Sequence, residues 1–422
     1  MAQLPKSQEL ADALQNHIIN PWFPRCIDTE NGGFFSDFDR TWRCNKQSNK
    51  LIEFQTRQTW AAAELLQLEP ENKNLLDAVQ HGFEFLRDVM WDHKYGGWYH
   101  LVDNKGAPLE KETKHVHGLA YGIAACVATY KVTNNLEALE LANEAFNWLE
   151  TFAYDHEYGG YMGFLTRDGS VIDTQSKNPL NYCADTIGTP LGCKDVNVHG
   201  DLLDTFILFY NSSQTPQIRK RLLEAADIIS KRMATSAGAL FSICQADWTL
   251  PPQLMRFGYA FQSTNRLLAA RKILDDQENS IRLAKSFLDC CLSYGWDYKK
   301  CGSFFAAPAS FPMTLEGHEM IARRKSWWVQ FEVLNALLGI SCVVKDNEQY
   351  LTYFQSQWHY LCNEFFDSEY QGVYGENVVF SDEQDEALND KSKTQKGHIW
   401  KDCSHEARAL LSCYYLLKTH FE

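Results

Sequence analysis

The 422-residue chain lacks the basic charge that would hold a polyanion: 40 Lys and Arg face 54 Asp and Glu, the formal charge is −14 and the pI lies near 5.4. Nucleic-acid binding needs cations gathered on one face to release counterions, and no such cluster exists, so that class of partner is excluded. No apolar run approaches the length of a membrane span. The opening stretch, MAQLPKSQELADALQNHI, has neither the charged nor the apolar segment of a secretory leader. The 13 cysteines are odd in number and unpaired in spacing, and adjacent Cys290 and Cys291 have no metal-ligand geometry, so neither a disulfide framework nor a zinc site is expected. A soluble, cytoplasmic protein of a reducing compartment follows. A phosphate-binding glycine loop is also missing, because Glu316-Gly317-His318-Glu319 lacks the glycine spacing and the following Lys-Ser/Thr pair. His318 reads as a loop residue with the reach of a lid over a pocket mouth.

Aromatic residues, by contrast, are plentiful: 12 Trp, 19 Tyr and 25 Phe. Core packing accounts for most of them, but flat apolar faces with polar tips also suit stacking on sugar rings. A hydrophobic content of 45% supports a large core, and length alone allows one large domain or two to three smaller ones. An internal repeat points to one. Asp-x-x-x-Gly-Gly followed by an aromatic occurs at Asp28 to Phe34, Asp92 to Trp98 and Asp155 to Tyr161, with degenerate copies at Asp297 to Phe304 and Asp367 to Tyr374. A weaker copy, Ser236 to Phe241, fills the gap, so marker glycines fall at Gly33, Gly97, Gly160, Gly238, Gly302 and Gly372. Glycine pairs flanked by aromatic alternation read as short strands around tight turns.

Two helical stretches separate successive markers. NLLDAVQHGFEFLRDVM before Gly97 is amphipathic, whereas HGLAYGIAACVATYKV after it is apolar on nearly every side and reads as buried all round. Six such pairs predict an all-α fold, a six-hairpin (α/α)6 toroid over residues 1–422 as a single domain with short β-hairpins in the connecting loops. An open helical solenoid is the alternative. Each inner helix starts with polar or aromatic side chains: Gln55-Thr56-Arg57; Lys114-His115-Val116-His117; Asn197-Val198-His199; Gly258-Tyr259 with Gln262; Lys325-Ser326-Trp327-Trp328 with Gln330 and Glu332; and Trp400-Lys401 with His405, Glu406 and Arg408. Singly, each is explained by helix capping and exposure. Six in register would converge at one mouth as a concave pocket.

At these starts the chain resembles the N-acylglucosamine 2-epimerase superfamily over nearly its whole length. Gln55-Thr56-Arg57-x-x-Trp60 is similar to the family's Gln-Ala-Arg-x-x-Trp, and Asn197-x-His199 with Leu202-Leu203-Asp204 to its Asn-x-His and Leu-Leu-Glu. Lys325-x-Trp327-Trp328-Val329-Gln330-x-Glu332 and Trp400-Lys401-x-x-x-His405-x-x-Arg408 resemble two further motifs, Ser404 standing in a Tyr place. The resemblance implies a barrel that binds a free reducing sugar, with Arg57 and His199 contacting substrate oxygens, Trp328 and Trp400 as stacking walls and His405 as a catalytic acid/base. With the polar ring, the expected catalytic groups are His405, His199, Tyr259 and Arg57, and the expected substrate-binding groups His117, Gln262, Trp328, Trp400, Asn197, Glu332 and Arg408. One departure stands out: the family's Gly-His-x-x-Glu is here Gly258-Tyr259-Ala260-Phe261-Gln262. His117 stands where relatives often have Tyr.

The implied reaction removes the proton next to an open-chain carbonyl and returns it through an enediol. Epimerisation at C2 needs proton return to the opposite face, whereas aldose-ketose isomerisation proceeds with one base. Tyrosine is a poor base at neutral pH and Gln262 cannot ionise, so the substitutions favour one base, His405, with Tyr259 or His199 as proton donor and Arg57 stabilising enediolate charge. A sugar dehydratase or lyase, and a sugar-binding protein without chemistry, remain as alternatives. Hydrolysis needs paired carboxylates, and the candidates Asp201, Asp204, Glu332 and Glu406 have packing or ion-pair explanations. No cofactor or metal is expected, because His117, His199 and His405 belong to different repeats. The expected partner is a small-molecule sugar, with no nucleic acid and no membrane, and the chain is expected to be a monomer or homodimer.

Overall fold

The computed structural model describes residues 4–109, 113–173, 183–251, 253–308, 324–378 and 395–422. His318 lies outside them. Helices alternate between an outer and an inner layer in chain order: α1 (Ser7–Leu14), continued through a π-helical turn into the short α2 (Asn20–Trp22), is outer, and α3 (Ile52–Leu68) is inner. There follow α4 (Lys73–Phe85), α5 (Val116–Thr133), α6 (Leu136–Trp148), α7 (Val196–Ser213), α8 (Pro216–Asp227), α9 (Phe257–Ala270), α10 (Gln277–Gly295), α11 (Trp327–Ser341), α12 (Glu348–Tyr360) and α13 (Ser404–His420), even numbers outer and odd numbers inner. Each inner helix packs on the next, and α13 returns against α3 and α1, which closes the ring. No helix among the described residues is long and apolar enough to cross a membrane.

The layer of each helix follows from its residues. In α5 every position from Val116 to Thr129 is buried, and small Gly and Ala side chains let neighbouring helices approach on both sides. Its end is set by Asn134 in the left-handed conformation (φ +55°), after which the Asn135 side chain caps α6 by accepting from Glu137 N. Helix α6 buries Ala138, Leu141, Ala142, Ala145 and Phe146 and exposes Glu137, Glu140 and Glu144. Each large apolar side chain fully buried on such a face contributes about 1.5–3 kcal/mol.

All six marker glycines have positive φ, between +68° and +83°, which a side chain would strain. Each turn is closed by an antiparallel bridge such as Trp91 to Trp98 or Tyr154 to Tyr161. The two- and three-residue strands pair from one repeat to the next: Lys50–Leu51 with Leu101–Val102, Lys114–His115 with Phe164–Leu165, Cys193–Asp195 with Ile243–Gln245, Leu254–Arg256 with Ala306–Pro308, and Arg324–Ser326 with Glu376–Val378. These ribbons stitch adjacent hairpins together at the end where the inner helices begin.

The lysines of the helix starts belong to the same stitching. Lys50, Lys114, Lys194, Lys325 and Lys396 place Nζ 2.7–3.1 Å from Asp28, Asp92, Asp155, Asp297 and Asp367, the aspartates that open the marker turns. Lys114 and Lys325, expected at the pocket mouth, therefore point into the loops. The fourth repeat has lost both partners together, with Thr235 in the aspartate place and buried Met255 in the lysine place. An uncompensated buried charge costs several kcal/mol, so the pair is kept or discarded as a unit.

Candidate active site

The first turns of the inner helices surround a cavity of about 340 Å³, within the range of small-molecule sites. Of the residues expected there, Arg57, His117, Asn197, Tyr259, Gln262, Trp328, Trp400 and His405 line it. His199, Glu332 and Arg408 do not, each for a physical reason.

His199 is fully buried and spends both ring nitrogens on the backbone: Nδ1 bonds Asp195 O at 2.8 Å and Nε2 accepts from Tyr161 N at 3.0 Å. It is the fourth residue of its helix, as Gln55 and Gln330 are of theirs. Gln55 accepts from Phe34 N at 2.7 Å and donates to Phe34 O at 2.9 Å, and Gln330 holds Ser303 N and O in the same way at 2.9 and 2.8 Å. A Cβ added at Gly33, Gly160 or Gly302 would meet the Gln55, His199 or Gln330 clamp atom at 2.5–2.7 Å, so the marker glycine and the clamp require one another. Burial pushes the His199 pKa down to about 4, which keeps the ring neutral and accepting. His199 thus holds its marker turn through both ring nitrogens and does not line the cavity where a catalytic group was expected.

Glu332 and Arg408 stand behind the cavity wall. Glu332 is fully buried, and its Oε1 takes His405 Nδ1 at 2.8 Å and an Arg408 guanidinium nitrogen. Asn265 Nδ2 donates to its Oε2 at 2.9 Å, and Gln262 Nε2 lies 3.5 Å from its Oε1. Burial alone would raise the Glu332 pKa, but Arg408 and His405 outweigh it and hold the carboxyl well below its usual range. The carboxylate fixes the His405 ring and leaves Nε2 for the cavity, while Glu332 and Arg408, expected as substrate-binding groups, sit outside the lining. His405 itself is 8% exposed, with its pKa lowered by burial against the opposing pull of Glu332. Trp328 covers it at a centroid distance of 5.6 Å.

Arg57 lies with its guanidinium 4.2 Å from the Tyr121 ring centroid and Nη2 3.1 Å from His117 Nε2. Burial opposes its charge, but Tyr121, Asp402 and Asp201 more than compensate, and its pKa is raised. The Tyr259 hydroxyl accepts from Asn197 Nδ2 at 3.0 Å and Arg256 Nη1 at 3.1 Å, which leaves its own hydrogen to donate. Burial raises its pKa, so it stays a phenol at neutral pH.

Tyr121, Asp201, Arg256, Phe305, Trp327, Thr186 and Ile187 also line the cavity. Asp201, already a candidate carboxylate in the sequence, lies one helical turn below Asn197, and Tyr121 lies one turn below His117, where the i, i+4 rule applied to the helix start would have found it. Thr186 and Ile187 come from a loop anchored by His115 Nε2 on Asp185 at 3.0 Å, and only the tertiary structure brings them in. Among the described residues, no group of three His, Cys, Asp or Glu side chains is placed to hold a metal ion.

The chain and its ring of helices are similar to known proteins. The model of the N-acylglucosamine 2-epimerase family matches residues 33–398. The chain is 23% identical to the cellobiose 2-epimerase of Ruminococcus albus over 376 residues, 88% of this chain and 90% of that protein. It is also 23% identical to the D-mannose isomerase of Marinomonas mediterranea, covering 94% of each. The solved structure of cellobiose 2-epimerase from Bacillus thermoamylovorans superposes with a TM-score of 0.83 at 21% identity, covering 97% of this chain and 98% of that one. The protein belongs to the N-acylglucosamine 2-epimerase family.

Proposed function

We propose that this protein is a carbohydrate 2-epimerase or aldose-ketose isomerase that moves the proton next to the carbonyl of a free reducing sugar, with His405 as the acid/base. The observation that carries this reading is the pairing of His405 with Glu332 on the wall of a cavity that also holds Arg57 and the Tyr259 hydroxyl. A neutral imidazole whose Nδ1 is fixed by a carboxylate offers Nε2 to an acidic C–H. Arg57 supplies a permanent positive charge for the oxygen of the enediolate, and Tyr259 a donor hydrogen for a carbonyl or ring oxygen. Trp328 and Trp400 give flat faces for the sugar. Hydrolysis is disfavoured because Asp201 is the one carboxylate lining the cavity among the described residues, and it is committed to Tyr121 and Arg266. All 13 cysteines are free thiols, in keeping with a cytoplasmic enzyme.

The test is incubation in deuterated water with cellobiose, D-mannose, D-glucose, D-fructose and N-acetylmannosamine, followed by NMR and mass. Deuterium at the carbon next to the carbonyl, with the sugar skeleton kept, is the expected result. Loss of water would make the protein a dehydratase, and no exchange with any sugar would refute the reading. His405→Ala is expected to abolish interconversion, and retained turnover would remove His405 from its role.

A further inference from the structure

We propose that His117, held by Asp201, is a second proton-transfer group of this cavity, which therefore works with two imidazoles placed on either side of Arg57. The proposal rests on the reading of the cavity as a sugar-carbonyl site. Around the ring, α3 carries Arg57 and lies between α5 and α13. His117 is the second residue of α5, and His405 is the second residue of α13. Each is backed by a carboxylate from the helix one step further from α3: Asp201 of α7 lies against His117 Nδ1, and Glu332 of α11 against His405 Nδ1. An arginine pins each carboxylate in turn, Arg266 on Asp201 and Arg408 on Glu332. The two halves of the site thus repeat one design on opposite flanks of Arg57.

The neighbours of His117 give its two ring nitrogens different roles. Asp201 Oδ2 lies against Nδ1 as its ion-pair partner, and Nε2 lies 3.1 Å from Arg57 Nη2, a nitrogen that can only donate, so Nε2 is the ring nitrogen that accepts. A carbonyl oxygen that takes over this Arg57 N–H frees the lone pair beside the adjacent carbon. Tyr259 is not equivalent, because its hydroxyl already accepts from Asn197 and Arg256 and is arranged to donate. The reaction then balances without a co-reactant. His117 Nε2 takes the C2 proton of one epimer, the C–H electron pair becomes the C1=C2 bond, and O1 carries the negative charge beside Arg57. Protonated His405 returns a proton to C2 from its own side, the carbonyl re-forms, and solvent exchange resets both imidazoles. The reverse direction exchanges their roles.

Two variants separate this role from support of the pocket. In deuterated water, wild-type protein is given D-glucose and D-mannose, and cellobiose and its 2-epimer, each separately. His117→Gln is expected to slow interconversion by roughly 10²–10⁴-fold, the usual worth of one acid/base group, yet still to exchange the C2 hydrogen of one epimer through His405. His405→Gln is expected to exchange only the other epimer. This mirror pattern cannot arise from a positioning role, and the His405 variant tests His117 even where the His117 variant folds poorly. Interconversion by His117→Gln within tenfold of wild type, or loss of exchange from both epimers in either folded variant, overturns the assignment of His117 alone. Absence of any exchange by wild type overturns the underlying reading of the cavity and this proposal with it.

Discussion

If His199 is a loop clamp and not a catalytic group, His199→Gln should leave activity nearly intact while making the protein more tolerant of acid. Glutamine already does this work at Gln55 and Gln330, whose amide oxygens accept a backbone N–H of their marker turns. The His199 pKa is lowered to about 4 in the folded protein from 6.5 when unfolded. A lowered folded pKa contributes stability that is complete above pH 6.5 and is lost as pH falls toward 4, because the unfolded chain takes up the proton first. Linkage then makes the loss at this one residue about 1 kcal/mol at pH 5.5 and about 2–3 kcal/mol at pH 4.5. His199→Gln removes this loss, so urea unfolding of variant and wild type should diverge between pH 6.5 and 4.5 by that amount, the variant holding up better relative to its own value at pH 7.5. Turnover at pH 7.5 should stay within about threefold of wild type, whereas loss of an acid/base group costs 10²–10⁴-fold. A folded His199→Gln protein with activity reduced a hundredfold would refute the clamp assignment, and parallel pH profiles would refute the buried-neutral account of the ring.

Three further outcomes follow from the same geometry. Glu332→Gln removes the group that raises the His405 pKa against burial, so that pKa falls further and the acid limb of the kcat/KM profile should move to lower pH, with a roughly 10–100-fold lower plateau; an unmoved limb would mean that another group titrates there. Tyr259→Phe keeps the ring beside Trp328 but deletes the donated hydrogen, so kcat should drop about 10–100-fold with KM little changed, measured by steady-state kinetics. Asp297→Ala leaves Lys325 fully buried without its carboxylate and should cost about 3–5 kcal/mol in urea unfolding, with KM unaltered in whatever protein remains folded.

How much of this was legible in the sequence depends on whether a residue acts alone or in a pair. The ring was readable, because glycines of one spacing and alternating amphipathic and fully apolar helices impose it. The wall of the cavity was readable too, since Arg57, Asn197, Tyr259 and His405 sit at helix starts that a parallel ring must bring together. What the sequence left undivided was the roles of polar residues in register. Gln55, His199 and Gln330 occupy one repeat position with three similar clamps, and the lysines before the inner helices mate with the turn aspartates. Position within the repeat, compared across repeats, separates such recurring structural groups from those found once, and Arg57 and Tyr259 have no counterpart of their own kind in the other inner helices. The partner of His117 was hidden because Asp201 lies on a different helix, and no spacing along the chain joins them.

The buried charges behind the cavity form one continuous chain, and its middle link decides whether the two histidine–carboxylate pairs behave as one site. His117 meets Asp201, Asp201 meets Arg266, and Arg266 Nε reaches Asp204 at 2.8 Å. From the other side, His405 meets Glu332, Glu332 meets Arg408, and Arg408 Nη1 reaches the same Asp204 oxygen at 3.0 Å. Asp204 touches neither histidine, yet it fixes the two arginines that orient both carboxylates. Asp204→Asn keeps the shape but removes the charge, leaving two inward-facing arginines to share Asp201 and Glu332. Partial exposure of Asp204 screens the effect on stability, so the cost should be about 1–3 kcal/mol, below that of breaking a wholly buried pair. Activity should respond more strongly, because a carboxylate pulled toward its arginine releases its histidine, and errors of about 1 Å in a reacting group can cost about 10²-fold. An Asp204→Asn protein that unfolds 1–3 kcal/mol earlier but turns over at the wild-type rate would show that the two halves hold their geometry independently. A hundredfold loss with normal substrate affinity would show that the ion-pair chain, and not the cavity wall alone, keeps both imidazoles aimed at one carbon.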